Sequence, residues 1–502
     1  MELLFFLATL LAAVAANPVS RANSPKAVYA HFMVGIVENF SVQDWITEMN
    51  TAKSIRLANA YAAATQVGNF HVFVSFDFAY WTAGETGTIM EVLRNYTFLP
   101  SQALYNGRPI VSTFVGDTFD WNTVRSAANV FAIPMLQDPG YLTNPMAAVL
   151  DGAFSWYAWP TAGGNSIIPG PMTTVWDERF RSSLATAGRG QIYMMPVSPW
   201  FSTHFPSKNW VFICEQLITD RWPQVLQLQP ELVEIVSWND FGESHYISDS
   251  EPTHSDDGSS AWATGYPHEG WRYIMQAYIA AYKQGLSAPV ITQERVVYWY
   301  RGTPKRVTCT NDTLGIPQGV DLLQDLIFVT TMLTSPATLT VRSGSLGAVT
   351  INAPAGLTTH NVTMGVGAQS FAVTRNGAQV ASGTGGLEIK TTCTIYNYNA
   401  YVGTFAFGGV TTPPPASSSS SSTSSRSSSA SSSTRSSSSV TTPPPSSTSA
   451  TSTPTCGAGC TITASAQIFP TNCLQPGCVW AGPAGQGVPN HCDTGGRPCA
   501  TS

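Results

Sequence analysis

The chain has 502 residues, too many for one ordinary domain, and only 11% of them are charged; at least two folded units and a spacer are expected. A formal net charge of -6 and the absence of any Lys/Arg cluster argue against nucleic acid or an anionic membrane as partner, so a neutral ligand fits better. Aromatic residues make up 11%, including 14 Trp, which suits a carbohydrate-handling protein because sugar rings present apolar C–H faces to aromatic side chains, although most such rings in any domain are core.

Residues 1–16, MELLFFLATLLAAVAA, form a short apolar run ending in small residues, as a secretory signal does, with cleavage expected near Ala16. The run departs from the rule in carrying Glu2 and no Lys or Arg. It is too short to span a bilayer, and no later run is longer, so no membrane anchor is expected. Sequons at Asn39, Asn95, Asn311 and Asn361 agree with a secreted, extracellular protein.

From 27 to 285, strand-like runs alternate with helical patterns, which argues for a parallel sheet or barrel. Strands are expected at 27–35, 71–78, 108–114, 129–134, 150–156, 191–197 and 232–238. Amphipathic helices are expected at 42–56, where Ser41 and Asp44 form a capping box, and at 57–66, 175–186 and 210–229. Two helices follow one another between 42 and 66 with no strand between them. A regular eight-stranded barrel places one there, so the pattern is that of an α/β barrel missing its second strand.

Past Gly285 the alternation has period two, with strand-like runs at 296–300, 325–333, 337–344, 348–354, 371–383 and 391–407. Asn376 and Gly377, between alternating runs, signal a hairpin. An antiparallel β-sandwich with an accessory role is expected over 290–410. Residues 411–455 are almost wholly Ser, Thr and Pro, an extended tether expected to carry O-linked sugar. Cys214 reads as a buried free thiol. Cys309 and Cys393 are the only two in their region and can form one disulfide. Six further cysteines between 456 and 502 suggest a small disulfide module, a candidate carbohydrate-binding one, with zinc the alternative.

The chemistry is expected in LVEIVSWNDFGESHY, 232–246, where an apolar strand breaks into a turn carrying Asp240 and Glu243 beside Asn239, Ser244 and His245. Loops at the carboxyl ends of barrel strands build active sites, and two carboxylates there are candidates for acid and base. A capped loop whose acids only serve helix N-termini or an ion pair is the alternative. Further carboxylates end other strands: Asp77 in SFDF, then Asp117 and Asp120. Asp77 sits in an otherwise apolar strand, where an aspartate needs a partner or a function. His31 reads as a pocket histidine; no second His or Cys has the spacing of a metal site, and no cofactor is expected.

These blocks, VYAHFMVG, VFVSFDFAYWTAG, IVSTF, FSWYAWP, YMMPVSPWF followed by KNW, and EIVSWNDFGESHYI, resemble the fungal α-1,3-glucanases, or mutanases, of glycoside hydrolase family 71. The likeness covers most of 27–285. It implies a TIM-type barrel over 24–285 joined to a β-rich domain, acting on α-1,3-glucan in water with inversion at the anomeric carbon. Carried over by motif, Asp240 and Glu243 would be the central catalytic carboxylates and Asp77 a third. His31, Trp81, Trp156, Trp159, Trp200, Trp238, Asn239 and His245 are candidates for substrate contact, a core role being the alternative for each Trp. No metal is implied, and a monomer is expected. Family members carry a second strand of the kind GIDAFALN after the first helix; here AKSI runs directly into RLANAYAAA, the same gap that strand counting finds. An omitted segment is the preferred explanation, and an impaired, glucan-binding wall protein is the alternative function.

Overall fold

The computed structural model describes residues 26–37, 40–51, 57–79, 81–188, 192–249, 256–408, 479–480 and 492–493. The signal segment, the Ser/Thr/Pro stretch, the Asn39 sequon and nearly all of the cysteine-rich tail lie outside them. Two compact units are present, Met1–Phe78 with Ala83–Thr411, and Ala79–Thr82 with Thr412–Ser502. In the second, Val479–Trp480 pairs antiparallel with Cys492–Asp493.

The first unit is mixed α/β. Seven parallel strands stand in the order Val74–Asp77, Arg108–Phe114, Phe131–Ala132, Ala153–Phe154, Tyr193–Val197, Leu232–Ile235 and Ala27–Ala30. A parallel bridge between Met135 and Phe154 joins the third of these to the fourth. Each expected strand is present; Arg108–Phe114 has its full expected length and the others are shorter than their apolar runs. Tyr193–Val197 and Leu232–Ile235 are buried at every residue, as parallel strands covered on both faces must be. Ala27–Ala30 is only partly buried throughout. Its pairs with Leu232–Ile235 run along one edge. Among the described residues no ladder joins its other edge to Val74–Asp77; instead Tyr29 meets Phe73 edge-on at 4.9 Å. The helices Val42–Thr51 and Leu57–Val67, between which the sequence pattern lacks a strand, lie in chain order between these two edge strands.

Local signals are expressed where they stand. The Ser41 amide donates to Asp44 Oδ2 at 2.7 Å and the Asp44 amide to Ser41 Oγ at 3.2 Å, a reciprocal cap. Val175–Thr186 is helical as expected. The helix expected over 210–229 starts only at Leu217. Its first residues instead form Lys208–Val211, paired antiparallel with Ser202–Phe205, because aromatic and β-branched side chains at 210–213 suit a half-buried strand.

The C-terminal part of this unit is two four-stranded antiparallel sheets. Gly356–Thr363, Leu326–Leu333, Arg295–Arg301 and Ala400–Ala406 form one; Val349–Ala353, Ala337–Ser343, Gln369–Arg375 and Ala378–Thr384 form the other. They share one apolar core, in which Val296, Tyr298 and Val329 from the first meet Val341, Phe371 and Val373 from the second. Asn376 and Gly377 turn the last hairpin with φ of 52° and 79°, as a type I′ turn requires. Gly356–Thr363 was not expected; its run GLTTHNVT is mostly polar and half-exposed, so it carries no clear alternation. Conversely, 391–399 forms no strand. Cys309 and Cys393 are bonded, and Cys214 is a buried free thiol.

The two parts are held by polar bonds as well as packing. Trp200 Nε1 donates to the Tyr398 carbonyl at 3.0 Å, Trp299 Nε1 to the Glu215 carbonyl at 2.8 Å, and His268 Nε2 stands 2.9 Å from the Ala400 carbonyl.

Candidate active site

The buried strand Leu232–Ile235 continues past its last ladder pair: the Val236 amide donates to the Val197 carbonyl at 2.8 Å and the Trp238 amide to the His31 carbonyl at 2.6 Å. The chain then folds back on itself. The Ser237 amide donates to the His245 carbonyl at 3.1 Å, and Ser237 Oγ accepts from the Asp240 amide at 2.9 Å. Asp240 Oδ1 in turn accepts from the Glu243 amide at 2.9 Å, so a short polar side chain closes the turn. Ser244 has φ of 60°, a left-handed conformation uncommon for a residue with a Cβ, and the chain reverses there between Glu243 and His245.

The result is a charged cluster at the carboxyl end of a parallel strand. His245, fully buried, places Nε2 3.0 Å from Glu243 Oε2 and 3.7 Å from Asp240 Oδ2. Its Nδ1 lies 2.8 Å from Ser237 Oγ, and with that hydroxyl donating to Nδ1, Nε2–H is left to donate to Glu243. Lys208 Nζ donates to Glu243 Oε1 at 2.8 Å from the neighbouring hairpin. One oxygen of each acid and one nitrogen of His245 all lie within 4.8 Å of one another, a spacing that would also suit a cation, but Lys208 already supplies Glu243 with a positive partner.

The two acids are driven apart electrostatically. Burial pushes Asp240 up, His245 pulls against it, and the charge of Glu243 adds to the rise, so the net direction is upward. Burial acts on Glu243 too, but the His245 hydrogen bond and the Lys208 ammonium outweigh it and hold this carboxyl at about 2. Asp240 thus holds its proton more tightly than Glu243 beside it, the pattern by which paired acids divide proton-donating and charge-bearing roles.

Asp77 closes strand Val74–Asp77, level with Phe114, partly buried and at the same end of the parallel strands as the Asp240 turn. His31 follows Ala27–Ala30; its Nδ1 meets Glu234 Oε1 at 2.8 Å, and its ring stands edge-on to Trp156 at 4.9 Å. Trp156 is half-buried and also meets Phe114 at 4.9 Å. Asn239 is buried and clamps Met33, accepting from its amide at 2.7 Å and donating to its carbonyl at 3.1 Å.

The other tryptophans stand back from solvent. Trp159, 3% exposed, donates through Nε1 to the Trp200 carbonyl, stacks on Phe212 and lies 5.3 Å from the His245 ring, so it backs the imidazole. Trp200 and Trp238 are equally buried. Trp81 is buried and belongs to the segment Ala79–Thr82 that groups with the second unit. Asp117 and Asp120 do structural work: Asp117 accepts from the Gln137 and Asp138 amides, and Asp120 caps helix Trp121–Ala127 through Asn122. Two members of the cluster went unnoticed in the sequence, Ser237 and Lys208. The only signal for Lys208 was its place in the KNW block, since a pairing 35 residues apart leaves no local pattern.

Residues 24–413 match the model of Glycosyl hydrolase family 71, a span that takes in both the parallel and the antiparallel parts. A mutanase of Penicillium rubens is 55% identical over 408 residues, covering 77% of this chain and 91% of that one. The glucan endo-1,3-alpha-glucosidase of Schizosaccharomyces pombe is 36% identical over 440 residues, covering 81% of this chain and all of its own length. The ascus wall endo-1,3-alpha-glucanase of the same yeast is 27% identical over 74% of this chain and 96% of its own.

Proposed function

The chain belongs to glycosyl hydrolase family 71, and we propose that it is a glycoside hydrolase that cleaves α-1,3-glucosidic bonds in α-1,3-glucan. The mutanase and endo-1,3-alpha-glucosidase names of the relatives from Penicillium and fission yeast support the substrate. The observation that carries the chemistry is the opposed pair, Asp240 pushed up and Glu243 held down, on one turn at the end of a parallel strand. In this reading Asp240 is the acid that protonates the leaving glucosidic oxygen. Glu243 stays ionised and stabilises the positive charge that develops on the sugar.

Inversion requires the acid and the water-activating base to stand roughly 6.5–9.5 Å apart, leaving room for water. The facing oxygens of Asp240 and Glu243 are within 4.8 Å, closer than that. Asp77, arriving on another strand at the same end of the molecule, is therefore assigned the base. His31 and Trp156 would form the floor on which the sugar rests. The fold is taken as a TIM-type barrel lacking its second strand, and the protein as a secreted monomer working outside the cell or at the wall. The Ser/Thr/Pro tether would keep the enzyme near insoluble polymer through the cysteine-rich tail.

A second reading rests on the seam beside Ala27–Ala30: a chain short of one strand binds α-glucan without turning it over. One assay separates the two. Insoluble α-1,3-glucan is incubated with the full chain and with Asp240→Asn and Glu243→Gln, and released reducing sugar is followed. Turnover that falls about 10²–10⁴-fold in either variant supports the hydrolase. Turnover untouched by both sinks the assignment of these acids, and binding without turnover in the unaltered chain selects the second reading.

A further inference from the structure

We infer that Asp312, in the antiparallel part of the molecule, is a positioning residue for the reacting carboxylates, acting through His204 on the hairpin that carries Lys208. The inference rests on the assignment of Glu243 to the site proposed above.

The hairpin consists of Ser202–Phe205 and Lys208–Val211. It touches the catalytic turn at both backbone and side chain: the Ser202 amide donates to the Glu243 carbonyl at 3.0 Å, and Lys208 Nζ to Glu243 Oε1 at 2.8 Å. A hairpin of four-residue strands is not stable by itself and needs an anchor. The anchor comes from a loop that follows Cys309. His204 Nε2 stands 2.7 Å from Asp312 Oδ2, with the two side chains 7% and 2% exposed.

Both ring nitrogens of His204 face side-chain oxygens. Asp312 already receives the Tyr396, Leu314 and Gly315 amides, each at 2.8 Å, so it is an ionised acceptor and Nε2 must carry a proton. On the other side Nδ1 meets Asn209 Oδ1 at 2.8 Å. That amide is oriented by its own Nδ2, which donates to the Leu314 and Gly315 carbonyls, so its oxygen faces the ring. His204 is therefore held between a carboxylate and an amide oxygen, a hydrogen-bonded link in a buried place. Further backbone bonds run the same way, from the Gln318 amide to the Asn209 carbonyl and from the Val211 amide to the Gln318 carbonyl. The antiparallel part thus grips the hairpin along its second strand. The Cys309–Cys393 bond fixes the loop that does so, with Asp312 and Tyr396 each three residues beyond a bonded cysteine. What was read from the sequence as an accessory domain supplies, through this grip, the setting of the Lys208 ammonium on Glu243.

The test follows the Glu243 carboxyl itself by carbon-13 NMR in the full chain labelled at glutamate carboxyls, with its signal identified by its loss in Glu243→Gln. In the unaltered chain it is expected to titrate at about 2. In Asp312→Asn and in His204→Leu it moves up by about one unit or more, as it does in Lys208→Met. Combining Asp312→Asn with Lys208→Met adds no further shift, because both act through the same ammonium. His204→Leu leaves the Asp312 loop its three backbone bonds and so keeps the test open if Asp312→Asn does not fold. An unmoved Glu243 in a folded variant, a shift that adds to that of Lys208→Met, or loss of folding in both variants overturns the inference. The readout needs no turnover, so an inactive parent chain defeats the hydrolytic reading and leaves this one standing.

Discussion

Asp240 and Glu243 lie three residues apart and share one imidazole, yet their proton affinities move in opposite directions. The cause is partner geometry: Glu243 receives His245 and Lys208 directly, whereas Asp240 spends one oxygen on the turn and stands 3.7 Å from the ring. The pH dependence of hydrolysis follows with a definite sign. On the proposed assignment Asp240 must keep its proton, so turnover falls as the pH rises through its raised pKa. On the same assignment Glu243 and the base Asp77 must both stay ionised, so the acid limb lies no lower than the Glu243 value of about 2. Lys208→Met removes a group that lowers that value and should carry the acid limb to higher pH, leaving the alkaline limb in the same order. A pH–rate profile of the two proteins checks this; an acid limb that stays put contradicts it. That the two acids belong together was legible in WNDFGES. Their division of labour was not, because it depends on a lysine from another strand.

At the scale of elements, the supports of the site are buried polar links that no periodicity reveals. Arg221, fully buried, grips Asp177 with two nitrogens at 2.6 and 2.7 Å and donates through Nε to the Pro196 carbonyl. Asp177 also accepts from Tyr193, whose hydroxyl meets Ser155 at 2.9 Å. One network therefore ties helices Val175–Thr186 and Leu217–Leu228 to the strand ends that lead into Trp156 and Trp200. Removing one partner leaves an uncompensated buried charge, so Asp177→Ala should cost about 3–5 kcal/mol of stability, read as a lowered urea midpoint. A loss below about 1 kcal/mol would mean that water reaches the arginine. The amphipathic pattern of Val175–Thr186 was readable in the sequence, where an acid in the first turn, as Asp177 is, looks like any other helix-starting acid. Its burial and its arginine 44 residues away are tertiary facts.

Across the whole molecule, two features set stability. Cys309 and Cys393 close a loop of 84 residues, which by chain entropy is worth about 4–5 kcal/mol. Reduction should therefore lower the melting temperature and loosen the loop that holds His204. The seam beside Ala27–Ala30 acts the other way. With one edge unpaired among the described residues, amides in that strand should exchange with solvent faster than those of Leu232–Ile235, which is paired on both sides; equal protection in a hydrogen-exchange experiment would show that the edge is covered.

The sequence alone determined whatever a short stretch of chain settles with its own groups. The Ser41 cap, the turn at Asn376 and Gly377, the apolar strand runs and the pairing of Asp240 with Glu243 on one turn all rest on backbone preference and near-neighbour hydrogen bonds. Even the gap in the strand pattern was visible before any coordinates, because a missing run is a local fact. Only the tertiary structure decided what depends on residues far apart in the chain meeting in a low-dielectric interior. It decided that Lys208 holds Glu243, that Asp312 grips His204, which tryptophans are walls, and on which edge the gap lies. Those outcomes depend on charge, burial and distance after the chain has closed on itself, and no spacing along it encodes them.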